Sequence, residues 1–432
     1  MSNSEDVRRI PAGHDEERRV VVTGFGVVSS IGSGRAGFLA GLREGRCGAK
    51  PISRWDATGF PHYHACEVTD FEPADVLERV EPKETGRVAG LAAAAARMAM
   101  ADAGFALAQA RAETGLIAIG TTCGESLELD GVAEAELRAE PAALPAETAR
   151  LLSPGRLAAT AAAELDLHDV ETLTIPTACA AGNYAIAYGM DAIRAGEADF
   201  ALCGGADAVN RMAFAGFFRM GAMAQERCRP FDRDRDGTMW GEGSAVVVLE
   251  SLAHARSRGA AIHAEVLGFQ LNCDADHPTA PVGQRVAENI AGALRDSGVD
   301  PAELDVVFAH ATGTKASDPM EVKAIRDVFG GRELPPIVGL KSMIGHTMGA
   351  AGAHTCIAAM LAMRHGFLPP TVNFREADPD CVIDCVPNTS RPAEVRTAMV
   401  NSLGFGGNNA AVVLRRFDDE TPGSTPARGA VR

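Results

Sequence analysis

The stretch TLTIPTACAAG, residues 172–182, has the pattern of an apolar β-strand that runs through a turn of small residues into an Ala-rich helix. The spacing of Ile186, Met190 and Ile193 predicts that this helix buries one face. Cys179 lies between the strand and the helix, where free backbone N–H groups and the positive end of the helix dipole favour the thiolate. We therefore interpret Cys179 as a nucleophile, and the alternative is a buried, inert thiol, the common state of free cysteines.

A second segment of the chain repeats this pattern. KSMIGHTMGAAG, residues 341–352, also follows a predicted strand and precedes an Ala-rich helix. Towards the end of each copy, SAVVVLES at 244–251 resembles NAAVVLRR at 409–416. The period of this duplication is too long for a solenoid. Two similar α/β halves packed face to face account for it economically, and a run of unrelated α/β units is the alternative.

Short apolar strands alternate with Ala-rich helical stretches, which is typical of sheets covered by helices and predicts the α/β class. Strands are predicted at 20–22, 116–120, 172–176, 200–203, 245–249, 264–269, 306–309, 337–340 and 410–414. Helices are predicted at 87–104, 182–195, 284–297, 319–329 and 351–365. The expected domains are a flexible N-terminal extension at 1–19, halves at 20–260 and 261–417, and a flexible tail at 418–432.

Composition and charge exclude several classes of protein. The 432 residues include 41 basic and 57 acidic side chains, and the resulting net charge of −16 makes nucleic acid an unexpected partner. No stretch reaches the roughly 18 uninterrupted apolar residues of a membrane span, and residues 1–19 lack the apolar segment of a secretory signal. Ten scattered cysteines then indicate a reducing cytoplasm. Cys381 and Cys385 have no further ligands nearby, so no metal is expected.

Two histidines lie beside turns that can meet Cys179. His310 ends a predicted strand and begins the turn HATGT, which places it at a sheet edge, although a structural histidine is the alternative. His346 lies in the counterpart of the segment that carries Cys179. If the halves are related by pseudo-symmetry, the two loops meet and bring a thiol and an imidazole together, as nucleophilic catalysis requires. Lys341 would hold positive charge there, although such a lysine is more often on the surface.

Two further motifs are rich in glycine or in charge. NSLGFGGNN at 401–409 places glycines around Phe405 without the spacing of a phosphate loop. We interpret it as a flexible turn that forms an oxyanion hole or a moving gate. RPFDRDRDG at 229–237 is interpreted as a charged, internally paired turn with a structural role.

Together these segments resemble the elongating β-ketoacyl-acyl-carrier-protein synthases of the thiolase-fold superfamily, in particular the KAS II type and its relatives in type II polyketide systems. The resemblance extends from about residue 20 to residue 416. Its motifs, in chain order, are TACAAG, RPFDRDRDG with GEG, HATGT with Asp318 and Glu321, KSMIGHTMGAAG, and NSLGFGGNN. It implies a thiolase-like fold, in which two pseudo-symmetric α/β halves form a five-layer αβαβα sandwich.

The resemblance implies a catalytic triad of Cys179, His310 and His346. An acyl chain would pass from the phosphopantetheine of an acyl carrier protein to Cys179, with its oxyanion on the N–H groups of Cys179 and Phe405. Malonyl carrier protein would then lose CO2, and the histidines would stabilise the enolate. The carbanion would attack the Cys179 thioester and give a 3-oxoacyl chain two carbons longer. Lys341 would support the histidines.

Further residues gain roles by the same resemblance. Thr312 and Thr314 would hold the pantetheine arm, Asp318 and Glu321 would support the site, and Phe405 would be the gate.

Four residues depart from the family pattern. Ala311 stands where glycine is usual, Leu403 replaces a phenylalanine and Asn408 replaces a threonine. Thr355 occupies a place where an acidic residue often accompanies the lysine. These changes leave the triad intact and suit a specialised polyketide or polyene pathway at least as well as fatty-acid synthesis.

The resemblance also implies partners and rivals. The expected partners are an acyl carrier protein and a second subunit, in a homodimer or in a heterodimer with a chain-length-factor-like chain. No bound cofactor is expected, because the substrates are carried on phosphopantetheine. A starter-type synthase would have asparagine in place of His346, and a thiolase would need a second cysteine near the carboxyl end. A non-catalytic chain-length-factor subunit would lack Cys179.

Overall fold

The computed structural model describes residues 19–138 and 146–418, so the predicted tails lie outside the described residues apart from Arg19 and Asp418. In the described part, strands β1 to β14 are Val20–Ser29, Lys50–Pro51, His64–Ala65, Gly115–Gly120, Val170–Ile175, Phe200–Asp207, Gly243–Ser251, Ala264–Cys273, Val306–Phe308, Ile337–Val338, Phe367–Leu368, Arg391–Pro392, Thr397–Gly404 and Asn408–Arg416. Helices α1 to α13 are Gly34–Glu44, Arg87–Asp102, Leu107–Ala110, Ser126–Arg138, Ala146–Leu151, Arg156–Leu165, Ala181–Ala195, Arg211–Arg219, Leu252–Ser257, Gly283–Ser297, Ser317–Phe329, Lys341–Ile344 and Ala351–His365. The predicted α/β class is confirmed.

The predicted elements coincide with observed ones, and one major strand was missed. The five predicted helices are α2, α7, α10, α11 and α13, with ends that agree within two residues. The missed strand is β13, whose last residues belong to the segment interpreted as a flexible glycine turn. That interpretation was wrong in extent, because only the three residues Phe405–Gly407 form the turn between β13 and β14.

Ten strands form one hydrogen-bonded sheet with the order β10-β9-β13-β14-β8-β1-β7-β6-β4-β5. Each half contributes five strands, which can be numbered in chain order within that half. From the centre of the sheet outwards, both halves then have the order first, fifth, fourth, second and third. The repeated segments SAVVVLES and NAAVVLRR are the equivalent strands β7 and β14, which supports the predicted duplication. The two halves join where residues 20–22 of β1 pair antiparallel with residues 264–266 of β8, a connection that the sequence did not predict.

The helices and the two half-sheets form five layers, and three apolar clusters fill the spaces between them. The middle helices α7 and α13 lie between the two half-sheets, where Ile186 and Met360 share a core with Val247 of β7 and Val400 of β13. A second cluster lies between α2, α6 and the outer face of the first half-sheet. A third lies between α10, α11 and the outer face of the second. The predicted αβαβα sandwich is therefore confirmed, and among the described residues no helix is long and apolar enough to span a membrane.

The middle helices approach each other closely at their N-termini because both begin with small residues. A Cβ added at Gly182 would lie 2.8 Å from the carbonyl oxygen of Gly349, and one at Gly352 would collide with the side chain of Asn183. Glycine is therefore required at this crossing. The crossing brings the two repeated loops, and with them Cys179 and His346, to the same region of the interface between the halves.

Candidate active site

Cys179 lies in a short 3-10 turn, Ala178–Ala180, at the start of α7. Ala178 has a φ of 51°, a left-handed conformation that is strained for a residue with a Cβ. In the second half, Met348 begins the turn before α13 and has a φ of 49°. The pseudo-symmetry thus extends to the backbone strain that presents the nucleophile.

The sulfur of Cys179 is subject to opposing influences. Burial raises the pKa of the Cys179 thiol to about 11 and outweighs the charge of Lys341 and the backbone N–H groups of Phe405 and Cys179, which lower this pKa. The sequence-based expectation that the helix terminus favours the thiolate considered only the lowering influences. At neutral pH the group is a thiol, so its proton must leave as a substrate reacts.

His310 lies directly after β9 and is fixed through its backbone. Its N–H and that of Ala311 donate to the carboxylate of Glu321 at 2.7 and 2.9 Å. The ammonium of Lys341 donates to the carbonyl oxygen of His310 and lies 3.4 Å from its ring Nδ1. Burial, then the charge of Lys341 and the ring of His346, hold the pKa of His310 well below its usual value. Because an ammonium can only donate, Nδ1 accepts and the neutral ring carries its proton on Nε2.

His346 has the same tautomer for a different reason. The backbone N–H of Met348 donates to Nδ1 of His346 at 3.2 Å, which leaves the proton on Nε2. Burial and the charge of Lys341 hold the pKa of His346 well below its usual value. The ring centroids of His310 and His346 lie 5.3 Å apart at an interplanar angle of 84°. The two neutral imidazoles therefore offer a pair of neighbouring Nε2–H donors.

Lys341 and two of the departures from the family pattern lie around these histidines. Burial lowers the pKa of the Lys341 ammonium, and Glu321 is the carboxylate that most opposes this. Thr355, at the position that is often acidic, donates its hydroxyl to the carbonyl oxygen of Ala351 at 2.8 Å within α13. Ala311 has a φ of 43°, so the HATGT turn keeps a conformation that glycine adopts without strain.

Thr312 and Thr314 lie side by side on the turn after His310, with hydroxyl oxygens 3.1 Å apart. Asp318 supports this turn from behind, because its carboxylate accepts the N–H groups of Gly313 and Phe231 at 3.0 and 2.9 Å. Burial raises the pKa of Asp318 to about 7. The two threonines line a cavity, whereas Asp318 fixes the backbone that carries them.

Phe405 begins the short turn between β13 and β14. Gly406 and Gly407 have φ angles of 80° and 79°, which glycine adopts most readily. The ring of Phe405 stacks on Phe217 with a centroid distance of 5.1 Å. The side-chain amide of Asn408 donates to the carbonyl oxygen of Phe405 at 3.2 Å. The residue predicted to be a gate therefore lies on a tight glycine turn, with its ring against the wall of a cavity.

One cavity of about 810 Å³ connects these residues, a size typical of ligand sites. Cys179, His310 and His346 all line it, so the sulfur and both rings face a common space. Further lining residues that the sequence singled out are Thr312, Thr314, Leu403 and Phe405. Exposed lining residues such as His277 and Lys315 show that the cavity opens to the surface.

Sequence reasoning missed residues that fix the site from a distance. The buried carboxylate of Asp207 accepts the N–H groups of Cys123 at 3.0 Å and of Gly349 at 2.7 Å, and so ties the two halves together beside Cys179. Arg235 was assigned to an internally paired turn, but it also bonds outside that turn, to Asp378 at 2.5 Å and to the carbonyl oxygen of Thr314 at 3.0 Å. These partners lie 143 and 79 residues away, beyond any local pattern.

No metal was expected at the pair Cys381 and Cys385, and the surroundings of this pair are apolar. Cys381 and Cys385 belong to the apolar cluster beneath α11. Within residues 19–138 and 146–418, no group of three or more His, Cys, Asp or Glu side chains is arranged to hold a metal ion.

A thiol, two neutral imidazoles and a pair of backbone N–H groups around one cavity define an acyl-transferring enzyme with a thiolase-like fold. The chain belongs to the β-ketoacyl synthase family: residues 17–255 match the N-terminal domain of β-ketoacyl synthase, and residues 263–375 match the C-terminal domain. It is a ketosynthase, an acyltransferase of the kind that carries out condensation in fatty-acid or polyketide synthesis.

Similar proteins cover nearly the whole chain. It is 36% identical to 3-oxoacyl-[acyl-carrier-protein] synthase 2 of Coxiella burnetii, over 94% of this chain and 100% of that protein. It is also 36% identical to the tetracenomycin polyketide synthase ketoacyl synthase alpha subunit of Streptomyces glaucescens, over 93% and 97% of the two chains. A solved structure of the ishigamide ketosynthase/chain length factor matches with a TM-score of 0.91 and 52% identity, over 93% of this chain and 100% of that one.

Proposed function

We propose that this protein is an elongating ketosynthase that condenses an acyl chain on Cys179 with malonyl-acyl carrier protein, with loss of CO2. The product is a 3-oxoacyl-acyl carrier protein longer by one two-carbon unit. The observation that carries this proposal is the single cavity lined by Cys179, His310 and His346. The tautomers of the two histidines make both of them donors, which suits the stabilisation of an enolate.

The first step is transfer of the acyl group to the enzyme. The sulfur of Cys179 attacks the thioester carbonyl of the acyl carrier protein, and the N–H groups of Cys179 and Phe405 bind the resulting oxyanion. The tetrahedral intermediate collapses with loss of the pantetheine sulfur, which takes up the proton that Cys179 releases. Phe405 moves to admit the arm, and Thr312 and Thr314 hold it.

The second step is decarboxylation followed by carbon–carbon bond formation. The thioester oxygen of malonyl carrier protein accepts hydrogen bonds from Nε2 of His310 and of His346. As CO2 leaves, the electrons of the broken bond form an enolate whose negative oxygen these donors stabilise. The enolate carbon attacks the Cys179 thioester, and Cys179 leaves as a thiolate that takes up a proton from water. Burial and the charge of Lys341 keep the histidine rings neutral, and the ammonium of Lys341 orients the ring of His310.

We further propose that the protein acts in a polyketide pathway, as a heterodimer with a chain-length-factor-like subunit. The support is the 52% identity to a structure described as a ketosynthase/chain length factor, which exceeds the 36% identity to the fatty-acid type synthase. Elongation in fatty-acid synthesis by a homodimer is the second candidate, favoured by the full-length match to that synthase. A non-catalytic partner role is disfavoured, because Cys179 reaches the cavity. The proposed location is the cytoplasm, with substrates delivered on the phosphopantetheine of an acyl carrier protein.

Acyl loading tests the proposed function directly. Incubation with an acyl carrier protein thioester should add one acyl group to the protein, and peptide mass spectrometry should locate it on Cys179. The Cys179→Ala variant should remain unlabelled. Cys123→Ala removes a partly buried cysteine that packs against the apolar cluster containing Cys179, and this variant should still be labelled. Label that persists in Cys179→Ala would refute the assignment.

A further inference from the structure

Thr238 lines the active-site cavity and has a buried hydroxyl that lacks a partner among the described residues. The residue is 2% exposed and lines the same cavity as Cys179. Its Oγ1 makes no hydrogen bond within the described residues. Its backbone is bonded on both sides, to the carbonyl oxygen of Ala222 and from the N–H of Ala224, each at 2.7 Å. A buried hydroxyl is rarely left unsatisfied, so this one requires a partner that the described residues do not supply.

The backbone around Thr238 touches both histidine loops. The N–H of Gly237 donates to the carbonyl oxygen of Gly313, in the turn after His310, at 3.1 Å. The carbonyl oxygen of Met239 accepts the N–H of His346 at 2.6 Å. Thr238 therefore lies between the two loops whose imidazoles would hold the thioester oxygen of the malonyl unit.

A malonyl thioester brings one charged group that the residues described so far do not bind. Its thioester oxygen has the histidines, and its pantetheine arm has Thr312 and Thr314. Its carboxylate is separated from the thioester carbonyl by a single carbon and needs a donor when it is buried. We propose that the hydroxyl of Thr238 binds this carboxylate before CO2 leaves, an inference that rests on the proposed function.

Three other polar side chains of the cavity fit this role less well. His277 and Lys315 are exposed and so belong to its mouth. Asp236 is half-buried, and its carboxylate repels a second negative charge. Repulsion at Asp236 and a free hydroxyl at Thr238 together direct a substrate carboxylate to the buried side of the wall.

The test compares variants that differ only in this hydroxyl. Thr238→Val removes it at nearly constant size, and Thr238→Ser retains it. Thr174→Val is the matched control, because Thr174 also has a buried hydroxyl without a partner but lies on β5, away from the lining residues. Three quantities are measured for each protein: the rate of Cys179 acylation by an acyl carrier protein thioester, and the steady-state KM and kcat for malonyl carrier protein.

We expect Thr238→Val to raise the KM for malonyl carrier protein by about ten- to a hundred-fold, the effect of losing a hydrogen bond to a charged group. Acylation of Cys179 should be unchanged, and kcat should not fall, because a contact to the carboxylate stabilises the bound substrate at least as much as the transition state in which CO2 leaves. Thr238→Ser and Thr174→Val should both behave like the unchanged protein.

Three results would overturn the inference. The first is an unaltered KM for malonyl carrier protein in Thr238→Val. The second is an equally large fall in the acylation rate of Thr238→Val, which would place the pantetheine arm at the hydroxyl. The third is an equal rise in KM in Thr238→Ser, which would indicate a structural role. Absence of acylation in the unchanged protein would instead refute the proposed function, so the two failures are distinguishable.

Discussion

At the scale of single residues, burial determines the charge state of Cys179, because it raises the pKa of the thiol more than Lys341 and the backbone N–H groups lower it. The pKa of the thiol is raised to about 11, so the thiolate fraction grows with pH throughout the neutral and mildly alkaline range. We expect the rate of alkylation of Cys179 by iodoacetamide to rise about tenfold per unit between pH 7 and pH 10, since the thiolate is the reacting form. The Cys179→Ala variant supplies the background from other thiols. A rate that levels off by pH 8 would contradict the raised pKa.

The residues of the site differ in how much of their role is visible in the sequence. Cys179, His310 and His346 each stand at the end of a strand or before a helix, and their placement around one cavity could be predicted from that position. The protonation of Cys179 could not, because the helix terminus is a local feature whereas burial comes from the whole fold. Thr238 was also missed, since its position depends on the bonds that its neighbours Gly237 and Met239 make to Gly313 and His346, both distant in sequence.

At the scale of elements, two glycines of helices in the first half should respond in opposite ways to substitution by alanine. Gly196 caps the C-terminus of α7 with a φ of 73°, whereas Gly216 lies inside α8 without a positive φ. A Cβ at either position would meet no atom within 4 Å. Gly196→Ala should therefore lower the free energy of unfolding by about 1 kcal/mol through backbone strain alone. Gly216→Ala should raise it by roughly 0.5–1 kcal/mol, because alanine is the better helix former.

Urea denaturation of the two variants beside the unchanged protein measures both effects. If both substitutions changed the free energy of unfolding in the same direction, the left-handed conformation of Gly196 would not determine the effect of the alanine there.

Element prediction worked where the hydrophobic pattern was periodic and failed where it was not. Helix α7 was visible from the spacing of Ile186, Met190 and Ile193, which are all buried. Strand β13 was not, because its sequence places buried polar residues such as Asn401 among apolar ones and shows no alternation. The neighbouring glycines then suggested a long loop where the chain makes a three-residue turn.

At the scale of the whole molecule, the two halves share one core and one sheet. We expect urea to unfold them in a single transition, because α7 and α13 pack against strands of both halves. Both tryptophans of the chain, Trp55 and Trp240, lie in the first half, so their fluorescence follows mainly that half and, through the pairing of Trp240 with His346, its contact with the second half. Far-UV circular dichroism follows both halves. The two transitions should coincide, and separate midpoints would show that the halves unfold independently.

The duplication could be predicted from the repeated loops and strands, whereas the five layers were implied by the resemblance to the thiolase-fold synthases. The joining of the half-sheets could not, because the pairing of β1 with β8 depends on the positions that the two halves adopt relative to each other. No local pattern in residues 20–22 or 264–266 distinguishes a strand edge that is paired from one that faces solvent.

The shared middle layer has a practical consequence for protein engineering. Either half produced as a separate polypeptide would expose an apolar helix face to water and would leave the edge of its first strand without a neighbour. Such fragments would aggregate or associate non-specifically. Chimeras that exchange segments between related enzymes should therefore transfer α7, α13 and the strands that contact them as one block.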